Sequence, residues 1–142
     1  MSAEIVELAE AVKDALNSAS LSMAFTAERV YVPVRDIKDL TDLMVSVVPT
    51  GLTGAILDRS RRYDFSYTID IGIQKRAYIV ADLDALMLLV QEIVDLFRSA
   101  SLAGFGAATV ATVANQPIYV PQHLDEQRVF TSVVTLTFQQ AR

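Results

Sequence analysis

His123 is the only histidine in the sequence and the side chain whose ordinary pKa lies nearest neutrality, so a general acid or base is sought there first. Asp125 and Glu126 follow it closely. It sits in Pro121-Gln122-His123-Leu124, between an apparent turn and the last expected strand, with no Gly-x-Ser-x-Gly elbow and no metal-ligating partner nearby. A surface or turn role is the reading that these missing partners favour. Asp64 and Asp70 share one face of an expected strand, but their spacing separates them by roughly 20 Å. A carboxylate pair for glycoside hydrolysis needs about 5–10 Å, so the two read as solvated strand residues. Gly104-Phe105-Gly106 lacks the third glycine of a dinucleotide fingerprint and the Gly-Lys-Ser/Thr ending of a phosphate loop.

Arg59, Arg61 and Arg62, followed by Tyr63, form the densest basic feature. Guanidinium forks suit phosphate or carboxylate and the tyrosine suits base stacking, which makes a local nucleic-acid contact conceivable. Asp58 and Asp64 partly neutralise the cluster, and an exposed loop or a protein interface is the favoured reading.

Composition narrows the chemistry further. The chain has no cysteine, which removes disulfides, thiolate zinc sites, iron–sulfur clusters and cysteine nucleophiles together. One histidine leaves no multi-histidine metal site, and no cofactor motif is present. Twelve Lys and Arg against 17 Asp and Glu give a net charge of −5, which argues against general binding to a phosphate backbone. The chain is 142 residues long, 52% hydrophobic and only 20% charged, so it is expected to fold as one domain with a surface poor in solvating groups. The acidic start Met1-Ser2-Ala3-Glu4 lacks the features of a signal peptide. Glycines, prolines and polar residues break the uncharged stretch 99–124, so no spanning helix is expected and the chain reads as soluble and intracellular.

The elements that position these residues follow from periodicity. Ile5, Leu8, Ala9, Val12, Ala15 and Leu16 predict an amphipathic helix over about 3–18. A second helix is expected from a cap at Asp82, with Leu83, Leu86, Met87, Val90, Ile93, Val94 and Phe97 on one stripe. Leu88, Leu89 and Leu96 widen its apolar sector, and Leu88 in particular marks a candidate subunit contact. From Tyr63 to Ile73 every odd position is apolar, which predicts a long half-buried strand. Phe130, Ser132, Val134, Leu136 and Phe138 alternate with a threonine-rich face in another long strand over about 127–139. Shorter strands are expected over 29–34 and 43–48, the latter ended by Pro49-Thr50-Gly51, with further ones at 53–58 and 107–114. This order predicts a single α+β domain in which two main helices pack on a largely antiparallel sheet.

The layout resembles the tail terminator, or tail-completion, proteins of long-tailed bacteriophages and their prophage relatives. The resemblance spans nearly the whole chain and rests on Ile5-Val6-Glu7-Leu8-Ala9-Glu10-Ala11-Val12, on Arg62-Tyr63-Asp64-Phe65-Ser66-Tyr67-Thr68-Ile69-Asp70-Ile71 and on Phe130-Thr131-Ser132-Val133-Val134-Thr135-Leu136. It implies a structural virion protein of the tail or neck, assembled in the host bacterial cytoplasm, rather than an enzyme. It further implies a hexameric ring that caps the tail tube protein, stops polymerisation and presents a surface to the head–tail connector protein, with DNA passing through the lumen without specific binding. Surface features, not the resemblance, mark Arg59, Arg61 and Arg62 for contact with the tube or a neighbouring subunit. A neck-ring component is the nearest alternative; a small nucleic-acid-binding module using the arginines and an enzyme acting through His123 come from other classes.

Overall fold

The computed structural model describes residues 3–23, 25–31, 43–56, 63–76, 80–98, 109–115 and 129–141. His123 and the three arginines 59, 61 and 62 lie outside them, as do the two glycines 104 and 106.

Helix α1, Glu4–Ser18, buries Leu8, Ala9, Val12 and Leu16 along one stripe. Ala3 has no side chain to cap it, and its carbonyl accepts from the N–H groups of Val6 and Glu7. At the other end Asn17 replaces a missing backbone partner for the next element: its Oδ1 accepts from the Ala27 N–H at 2.7 Å and its Nδ2 donates to the Ala27 carbonyl at 3.2 Å. That pair of bonds sets the start of β1, Ala27–Arg29.

Strand β2 is Met44–Ile56, β3 Tyr63–Arg76, β4 Thr109–Asn115 and β5 Val129–Ala141, while α2 is Val80–Arg98. The five strands form one sheet in the order β1-β2-β3-β5-β4, antiparallel except for the β1–β2 pair. The α+β expectation is met.

Several local expectations change. Of the strand expected over 29–34, only Arg29 is in β1, Ala27–Arg29; Val30 and Tyr31 follow it, and 32–34 lie outside the described residues. The two strands expected on either side of Pro49-Thr50-Gly51 are one, with a register shift between Pro49 and Gly51. Pro49 stays opposite Ile69, and the extra residue of the bulge is Thr50. Thr50, the residue passed over, uses its hydroxyl to donate to the Thr68 carbonyl at 3.1 Å. Helix α2 begins at Val80, which puts Asp82 in its first turn instead of at its cap.

Both helices contribute to one buried cluster on one face of the sheet, built from Leu8, Val12 and Leu16 of α1 and Leu86, Leu89, Ile93 and Phe97 of α2. Tyr67, Ile69, Ile71 and Ile73 of β3 meet them, paired across the ladder with Phe138, Leu136, Val134 and Ser132 of β5. Packing α1 over β1–β2 and α2 over β4–β5 covers this face along its two sides. The opposite face, on which neither described helix packs, carries Ser66, Thr68 and Asp70 against Gln139, Thr137 and Thr135. Near the Met44 end of that face Ser46, Val48, Gln74 and Thr131 are buried, and Gln74 Nε2 donates to Thr131 Oγ1 at 3.4 Å.

Candidate functional site

Exposed apolar side chains gather on opposite flanks of the sheet. On one flank β1 pairs only with residues 45–47 of β2, so beyond the bulge β2 runs with β3 alone as its partner among the described strands. There the register places Leu52, Gly54 and Ile56 on the face of Tyr67, Phe65 and the Tyr63 position. Leu52 is 54% exposed and Ile56 68%. Between them Gly54 lies under the Phe65 ring, where an added Cβ would stand 2.9 Å from Phe65 Cε1. The missing side chain lets the ring lie flat over β2 and stack beside Tyr67, with centroids 6.4 Å apart.

The other flank is formed by α2 and β4, separated from β2 by β3 and β5, or roughly 14 Å at ordinary interstrand spacing. Val80, Asp84, Met87, Leu88, Gln91 and Asp95 recur along one exposed side of α2 at helical spacing. Leu88 is 53% exposed, as its place beside Asp84 and Gln91 suggested. Met87, expected on the core stripe, also faces outward, because the core stripe runs through Leu86, Leu89, Val90, Ile93 and Phe97. Met87 and Leu88 border an open groove of about 470 Å³ with Asp84, Val90, Gln91, Val94 and Asn115. The groove's floor is held at the end of β4: Asn115 Nδ2 donates to Ser132 Oγ at 3.0 Å and to the Val133 carbonyl at 2.8 Å.

Helix α2 carries Asp82, Asp84, Glu92 and Asp95 and ends at Arg98. The six residues that join Ile56 to its register partner Tyr63 hold Asp58 with Arg59, Arg61 and Arg62, and lie outside the described residues.

Among the described residues no group of histidine, cysteine and carboxylate side chains could hold a metal ion, and no helix is long and apolar enough to cross a membrane. Asp64 and Asp70 both lie on the face where neither described helix packs, and the Thr135 hydroxyl donates to Asp70 Oδ1 at 2.8 Å. They are not brought together. The charged cluster with the closest contacts joins α1 to β1: Glu10 accepts from Lys13 Nζ and from Arg29 Nε, each at 2.6 Å. Arg29 also donates to the Tyr31 hydroxyl at 3.1 Å and lies 5.5 Å from the centre of its ring. Every acceptor in this cluster is taken up by its own cations, which makes it a clamp between two elements.

The chain matches no known family model and no curated protein. Leu52 and Ile56 were missed by sequence reasoning because Pro49-Thr50-Gly51 interrupts the alternation. The signal that could have found them is the two-residue period of Leu52, Gly54 and Ile56 carried across that break.

Proposed function

We propose that this chain is a ring-forming structural subunit of a long-tailed phage or prophage, acting as a tail terminator that caps the tail tube and joins it to the head. The observation that carries the reading is the pair of unlike apolar patches on opposite flanks of one sheet. A subunit that meets itself through one patch makes a twofold dimer; two different flanks make head-to-tail contacts that close into a ring when the rotation allows. Closure matters to a terminator. A closed ring satisfies its lateral contacts internally and covers a growing tube without offering an equivalent growing face.

The sheet suits the remaining task. With strand order running around the ring, the helices lie on one side and the polar face on the other. On β3 this face runs from Asp64 through Ser66, Thr68, Asp70, Gly72 and Gln74 to Arg76; Gly72 and Gln74 are buried, and the part-exposed stretch from Asp64 to Asp70 offers hydroxyls and two carboxylates. Such a wall repels phosphate and lets DNA pass without holding it. Arg59, Arg61 and Arg62 are assigned to contact with the tube or the neighbouring subunit.

Disruption of the coding sequence in its own phage or prophage tests the role. Tails of excess and variable length, without heads, are expected in electron micrographs. Tails of normal length that fail only to join heads would move the protein to a neck-ring role, and normal virions would contradict both.

A further inference from the structure

We draw no further inference here: the strongest candidate, the open groove between α2 and β4 bordered by Met87 and Leu88, carries none because nothing in the structure shows what covers it.

Discussion

Side chains with the clearest local chemistry in this protein fasten elements together. Glu10 shows it best. Its pKa is held below the ordinary 4.5 by the hydrogen bond from Lys13 first and that from Arg29 second. Because the folded value is the lower one, the carboxylate stabilises the fold fully above its unfolded pKa and loses that contribution as pH falls through the folded value. Glu10 is more than a third exposed, so solvent screening keeps the effect below about 1 kcal/mol. Glu10→Gln is therefore expected to lower stability by up to that amount near neutrality and to converge with the parent chain in acid, flattening the acid limb of a stability-against-pH profile, as urea midpoints measured across pH would report. Asn17 carries more. It satisfies both backbone groups of Ala27 at a part-buried site, and Asn17→Ala is expected to cost about 1–3 kcal/mol, read as a lower urea midpoint with an unchanged slope. Neither role was legible beforehand, since residues 10 and 29, or 17 and 27, become neighbours only when β1 folds back beside α1. Leu88 was legible because an apolar residue flanked at helical spacing by Asp84 and Gln91 breaks the polar side of a helix.

At the scale of elements, periodicity was most informative where one face is buried along the whole length. The run from Tyr63 to Ile73 alternates because its odd positions face the core, with Tyr67, Ile69, Ile71 and Ile73 buried, and the same holds from Phe130 to Phe138. Helix α1 likewise spans nearly the expected residues. β2 resisted the same reading because its pattern slips by one residue at the bulge after Pro49, where proline and glycine ordinarily signal an end. Strand order was hidden for a different reason: it depends on which long strands pair, and alternation fixes a strand's faces but not its neighbours. Within α2 the two sides are separable by substitution. Leu86 is fully buried, and Leu86→Ala is expected to destabilise the fold by about 2–5 kcal/mol, seen as a lower thermal midpoint. Leu88→Asp is expected to leave circular dichroism and the thermal midpoint of the dissociated chain nearly unchanged while reducing oligomer mass. An unchanged oligomer mass would return Leu88 to an ordinary surface position.

For the molecule as a whole, the proposed role asks for stiffness, closure and two distinct ends. Three strands of 13 or 14 residues in register give a rigid wall, and one core shared by both helices ties it together. The overall α+β plan was readable from element order, whereas the opposition of two apolar flanks was not, because it exists only once β2 and β4 are placed on opposite sides of the β3–β5 pair. The arginine cluster belongs to this scale as well. A variant with Arg59, Arg61 and Arg62 all changed to alanine is expected to fold normally and to cap tail tubes poorly; normal capping would remove those residues from the contact. The central claim is closure, and it is tested most directly by light-scattering mass during size-exclusion chromatography across a range of protein concentrations, with negative-stain images of the main peak. Six copies of the 15.6 kDa chain, about 94 kDa, appearing as rings is the predicted result. A discrete dimer whose mass does not rise with concentration would contradict it, because a twofold contact leaves no flanks to close.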